Sequence, residues 1–202
     1  YTDRIDGDNW NRVGAVDGRL VFGKSSLVFQ AGASKTHEFD NTYSGPIWMT
    51  RFTHNGKWFG VRYTFNGIDP DFRTRSGFVN RAGDATLSLT NLFTIKGKPG
   101  SLVESFTPDV TLNGTWTYDR LMDGKEVRDP KIHLNLNAQL RGGWQAGFSL
   151  LVEKFGYDPR IYTNYALEVP GAGGVGLDTV AFTGGNQTIP NRDYAFSLST
   201  PE

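Results

Sequence analysis

Cysteine is absent from this 202-residue chain. Its absence removes disulfides, thiol catalysis and Cys-ligated zinc together, and leaves closure of hydrogen-bonded sheets as the available staple. Net charge is lacking too: 21 basic and 21 acidic side chains cancel. No electrostatic field therefore draws the chain to nucleic acid, which is excluded as a partner. No run approaches eighteen apolar residues, so no transmembrane helix is encoded, although strands of about ten half-apolar residues still satisfy a membrane barrel. The first nine residues, YTDRIDGDN, hold no Met, basic patch or apolar stretch of a signal peptide, and the chain reads as a mature protein or a piece of a longer one. Methionine is scarce at two, whereas Gly 25, Phe 14, Tyr 8 and Trp 5 favour strands with many turns.

The segment 131–155, KIHLNLNAQLRGGWQAGFSLLVEKF, shows the pattern most fully. Ile132, Leu134, Leu136, Ala138 and Leu140 alternate with His133, Asn135, Asn137 and Gln139, which is strand periodicity. A three-residue turn at Arg141, Gly142 and Gly143 sets Leu140 opposite Trp144, Leu136 opposite Phe148 and Ile132 opposite Val152. All of these share one uncharged face. The same alternation predicts strands over about 11–22, 26–35, 47–54, 57–66, 84–96, 109–119, 131–140 and 144–155 in a single domain over 1–202, with an irregular 156–193. A four-residue loop at 23–26 puts Phe22 opposite Leu27; Asn55-Gly56 predicts a type I′ hairpin with Phe52 opposite Phe59 and Trp48 opposite Tyr63. Pro108 predicts a strand that starts late or bends. A further strand opens at Tyr194–Ser199.

Connections alternate between short and long, the strands exceed the usual length, and their apolar face carries no charge, as lipid demands. Aromatic residues fall at both strand ends, where girdles belong. These features predict an all-β, antiparallel up-and-down meander closed into a transmembrane β-barrel, a fragment of a larger one. Asp17, Arg19, Arg51, Arg62, Asp84, His133 and Glu153 then face the lumen, the charged ones as a ladder of opposed charges that selects solutes. The alternative is a β-sandwich whose aromatics stack on sugar. Trp48, Phe52, Phe59, Tyr63, Leu136 and Phe148 separate the two: against lipid in a barrel, against a second sheet in a sandwich.

Chemistry-bearing groups are sparse. Asp3, Asp6 and Asp8 lack the closing Glu of a calcium loop and read as a solvated loop. His37, His54 and His133 have no zinc spacing, and no metal or cofactor is expected. Asp69 and Asp71 flank Pro70; they form either an Asx turn, with Asp71 paired to Arg73 or Arg75, or the loop carboxylates of a hydrolase. An enzyme is the weaker expectation. The glycine-rich 170–176 has no helix to make a phosphate cradle and reads as a loop.

The stretch YTFNGIDPDFRTRSGFVNRA over 63–82 resembles a known family. Pro70, Asp71, Phe72, Arg73, Gly77, Phe78, Val79 and Arg81 match a "pDFR" then "GFv.R" loop, and residues 14–22 and 30–34 match its upstream strands. The family is the outer-membrane barrel domain of unknown function that follows a family 9-type carbohydrate-binding module in Gram-negative bacterial proteins. The resemblance covers about residues 10–155. It implies residence in the outer membrane, lipid as a partner, a pore or membrane platform for an attached polymer- or glycan-binding domain, and no catalytic residues.

Overall fold

The computed structural model describes residues 1–77, 79, 81–156, 162–171, 174–182 and 188–201. The hairpin at 131–155 folds as its alternation requires. Strands β9 (Asp129–Leu140) and β10 (Gln145–Gly156) pair with Ala138 against Ala146, Leu136 against Phe148, Leu134 against Leu150 and Ile132 against Val152. Leu140 N–H donates to the Trp144 carbonyl at 2.8 Å across the turn. Gly142 and Gly143 stand at φ +84° and +83°, which L side chains avoid.

Around this hairpin lie β1 (Thr2–Asp6), β2 (Asn9–Phe22), β3 (Ser25–Glu38), β4 (Asn41–Asn55), β5 (Phe59–Ile68), β6 (Asp84–Phe93), β7 (Ile95–Lys96) and β8 (Val103–Thr117). A short helix α1 (Tyr118–Met122) leads to β9, and β11 (Ala166–Pro170), β12 (Leu177–Ala181) and β13 (Thr188–Ser199) complete the chain. The main sheet runs β1-β2-β3-β4-β5-β6-β8-β9-β10-β13, with β7 beside β8, and β11 and β12 form a separate pair.

This sheet is open. Among the described residues β1 pairs only with β2, and β13 only with β10. The expected closed transmembrane barrel is therefore not formed. Alternation of period two describes any sheet with unlike faces; closure needs strand number, tilt and stagger to agree around a ring, which no single segment encodes. The chain's accessible surface is 13615 Å², against roughly 9,400 Å² for a compact monomer of its mass. Such an excess is what an open, extended sheet shows. Buried apolar side chains among the described residues are few: Val61, Phe72, Ala85 and Tyr118. Trp48, Phe52, Tyr63, Leu136 and Phe148 are half-buried and Phe59 is exposed, all on the apolar face. They cover one another along the sheet: Trp48 meets Phe65 edge-on at 4.6 Å, and Phe52 tilts on Tyr63 at 6.4 Å.

Two registers differ from expectation. In the β2–β3 hairpin, Leu20 faces Leu27 and Phe22 faces Ser25 across a tight turn at Gly23 (φ +58°) and Lys24. In the β4–β5 hairpin, Asn55 faces Gly60, Phe52 faces Tyr63 and Trp48 faces Gly67. Neither Asn55 nor Gly56 has positive φ, so the turn is not type I′; Gly56 N–H reaches across to the Phe59 carbonyl at 2.9 Å. Both slips are even numbers of residues, which leaves every side chain on its face. Strand bounds differ too. β8 begins at Val103 and runs through Pro108, which faces Leu136 on one side and falls just past the end of the β6 pairing at Asp109 on the other. The missing N–H thus interrupts no bond to β6. The acidic start is strand β1, with Asp3 bridged to Arg12 at 3.3 Å, and the stretch expected to be irregular contains β11, β12 and the start of β13.

Candidate functional site

The polar face carries the groups that could do chemistry. Cross-strand register places Asp17 and Arg19 of β2, Arg51 of β4, Arg62 of β5, Asp84 of β6, His133 of β9 and Glu153 of β10 on it together. They do not make the expected ladder with one another, and an open sheet encloses no lumen for them to line. Asp17 and Arg19 are exposed. Arg51 Nε donates to Thr64 Oγ1 at 3.3 Å. Asp84 takes Arg81 at 2.6 Å and Arg128 at 3.5 Å. His133 Nε2 and Ser149 Oγ share a hydrogen bond of 2.8 Å.

One row across this face has a cleft over it. Ser88 of β6 faces Asn113 of β8, Asn113 faces Lys131 of β9, Lys131 faces Glu153 of β10, and Glu153 faces Asn191 of β13. Strands lie about 4.8 Å apart, so the row is a polar track running across them. Its middle is a cleft of about 480 Å³, bordered by Thr115, Asp129 and the ring of Phe155. That volume lies within the roughly 300–1,000 Å³ of small-molecule sites.

The carboxylate of Glu153 is held rigidly. Oε2 takes Lys131 Nζ at 2.8 Å, and Oε1 accepts Asn191 Nδ2 at 3.0 Å. The bond from Lys131, then that from Asn191, holds its pKa below the ordinary carboxylate range, against a smaller opposing effect of desolvation. Asp129 is likewise committed, accepting Gly156 N–H at 2.6 Å and Arg128 at 2.8 Å. By contrast the side chains of Ser88, Asn113 and Thr115 make no hydrogen bond among the described residues. A fixed acceptor thus stands beside an uncommitted amide and two uncommitted hydroxyls, with an aromatic ring at the rim that is 50% exposed. Of this group the sequence singled out only Glu153. Ser88, Asn113 and Thr115 belong to a Thr- and Asn-rich alternation, and only register shows which of them meet.

A second feature of the polar face is the loop matched to the barrel family. Asp71 N–H donates to Asp69 Oδ1 at 2.8 Å, an Asx turn around Pro70, and Phe72 is buried at the centre of the loop. Arg73 and Arg75 pair not with Asp71 but with Glu38, Arg73 at 3.4 Å, and the Arg73 guanidinium lies 3.3 Å over the Tyr43 ring. Arg81 turns to Asp84, Gly77 is exposed, and Phe78 lies outside the described residues. Buried Asn11, Ser34 and Thr36 anchor this strap. Asn11 Nδ2 donates to Thr36 Oγ1 at 2.7 Å and to the Arg73 carbonyl at 3.0 Å, and its Oδ1 accepts Arg75 N–H at 3.0 Å. Ser34 Oγ accepts Arg73 N–H at 2.9 Å. Gly45 lies directly beneath, where a Cβ would come within 2.6 Å of Phe72 N. Gly45→Val is therefore expected to lift the strap and raise its cleavage by trypsin, read as digestion rate against the parent protein.

Among the described residues no group of three or more His, Asp or Glu gathers as a metal site, and no helix is long and apolar enough to cross a membrane. The fold and the site together define an all-β protein with an open antiparallel sheet, a strapped polar face and a polar cleft. No known family model matches the chain, and neither a curated protein nor a solved structure is significantly similar to it. The resemblance to the outer-membrane barrel domain is thus not upheld. Porin-like function or a membrane platform, residence in the outer membrane and lipid as a partner rested on closure into a barrel and on that resemblance, and the open sheet and the lack of a family match remove both grounds.

Proposed function

We propose that the chain is a carbohydrate-binding module whose site is the polar track at Ser88, Asn113, Lys131 and Glu153. The observation that carries this reading is the cleft's mixture of a pre-oriented carboxylate, uncommitted amide and hydroxyl groups, and a half-exposed Phe155 ring. Sugars present dense hydroxyls around an apolar ring face. They are held by side chains that both donate and accept, with an aromatic surface for the C–H face. The absence of strong net charge in the row, with Lys131 and Glu153 neutralising each other, suits an uncharged glycan. We place hydrolysis lower, because Asp69 already serves the turn at Asp71.

Calorimetric titration with soluble neutral polysaccharides tests the proposal. Asn113→Ala and Phe155→Ala are each expected to weaken binding by about tenfold, the effect of roughly 1.4 kcal/mol. Unchanged affinity in both, with the fold intact by circular dichroism, would sink the assignment. Acid gives an independent check. Because the folded pKa of Glu153 is depressed, the stability it contributes is present above the ordinary carboxylate value of 4.5 and is lost as pH falls through the lower folded value. Binding and stability are expected to fall together there, and Glu153→Gln is expected to flatten that part of both profiles.

A further inference from the structure

The two edges of the open sheet are not alike. β1 is five residues long and carries Asp3, Arg4 and Asp6, the charged and short edge that resists pairing with another chain. β13 is twelve residues long, and its charges and proline are confined to Pro190, Arg192 and Asp193. From Tyr194 to Ser199 it carries neither charge nor proline. Tyr194, Phe196 and Leu198 point to the apolar face and remain 62%, 80% and 68% exposed, even though Phe196 already packs on Phe148 with centroids 4.9 Å apart. The backbone groups of β13 that point away from β10 have no strand beside them among the described residues. Unpaired N–H and C=O groups in an extended row bind one chemistry best: another extended strand, antiparallel, with apolar side chains toward Tyr194, Phe196 and Leu198.

We propose that the occupant is β13 of a second copy, joined antiparallel about a twofold axis near Ala195 and Phe196. The strand is complementary to itself in that register. With the axis at Phe196, Tyr194 meets Leu198 of the other copy and the two Phe196 rings meet each other, continuing the apolar face of both sheets. With the axis at Ala195, Tyr194 meets Phe196 and Asp193 meets Ser197. Registers centred on Arg192 or Asp193 oppose like charges and are disfavoured. Charge therefore places the joint in the unguarded half of the strand. The closed twofold symmetry also limits association to a pair.

The absence of cysteine makes the test direct. Single variants Ala195→Cys, Phe196→Cys, Ile5→Cys and Leu20→Cys are oxidised and separated without reductant, while sedimentation gives the mass of the parent protein. A self-opposed position in an antiparallel pair brings Cα atoms to about 4.5–5.5 Å, within disulfide reach. A dimer of the parent protein, with covalent dimer from Ala195→Cys or Phe196→Cys and none from Ile5→Cys or Leu20→Cys, supports the proposal. Phe196→Lys, folded by circular dichroism, is expected to lose the dimer. A parent protein that sediments as a monomer, one soluble only as a monomer in detergent, equal cross-linking from Leu20→Cys, or a Phe196→Lys variant that still dimerises would each overturn it.

Discussion

Replacing Asn11 with alanine is expected to destabilise the protein by about 3 kcal/mol, as one buried and two part-buried hydrogen bonds are lost at once. Asn11 is 2% exposed and, among the described residues, is the one whose side chain ties β2 to β3 and both to the strap, through Thr36, the Arg73 carbonyl and Arg75 N–H. Alanine strands those groups where water enters poorly, and an unsatisfied buried group costs about 1–3 kcal/mol. Thr36→Val removes a single bond of the set and is expected to cost about 1 kcal/mol. Urea unfolding of the two variants checks the ratio, and trypsin checks the location, since release of the strap frees the backbone at Arg73 and Arg75 that Asn11 holds. Equal, small losses for both would show that the strap is not anchored through Asn11.

Gly67→Leu is expected to cost about 2 kcal/mol through overpacking on the opposite face. A Cβ at Gly67 would come within 2.5 Å of the Trp48 ring, which folds across the glycine from the facing strand. Trp48 cannot move without losing its contact on Phe65 and its Nε1 hydrogen bond to the Tyr118 hydroxyl at 3.3 Å. Tyr118 is buried and opens α1, so the disturbance reaches the turn between β8 and β9. Thermal unfolding measures the loss. A red-shifted tryptophan emission in the variant would show that the ring has left its seat, and an unchanged midpoint would refute the packing account.

Much of the strand pattern was legible in the chain, and the reasons it was legible also explain the errors. The β9–β10 hairpin was read down to its residue pairs, because its turn glycines and its uninterrupted alternation admit one register. In the β4–β5 hairpin, Asn55-Gly56 points to a register four residues away from the one the strands adopt. That dipeptide favours positive φ, but the longer turn ending at Phe59 lets Trp48 lie over Gly67 and Phe52 against Tyr63, and the packing outweighs the local preference. The strap stands out in the sequence as a motif, but its ion-pair partners do not. Asp71 is near Arg73 in sequence, whereas Glu38 reaches it only once β3 and the loop are stacked. The cleft was not legible at all, since Ser88, Asn113, Lys131 and Glu153 come from four strands and become neighbours through three independent registers.

The sequence by itself determined most of the long strands and which side of the sheet their residues occupy, because period-two alternation is local and survives any even slip of register, but not the short strands β1, β11 and β12. It also determined the Asx turn at Asp69, a contact between residues two apart. Tertiary structure alone decided that the sheet stays open, that the strap is seated on Asn11, that a polar row crosses β6 to β13 under a cleft, and that the unguarded edge is β13. Each of those depends on strands far apart in the chain meeting at a particular offset. An alternating pattern says which face a residue joins and is silent on its neighbour across the sheet.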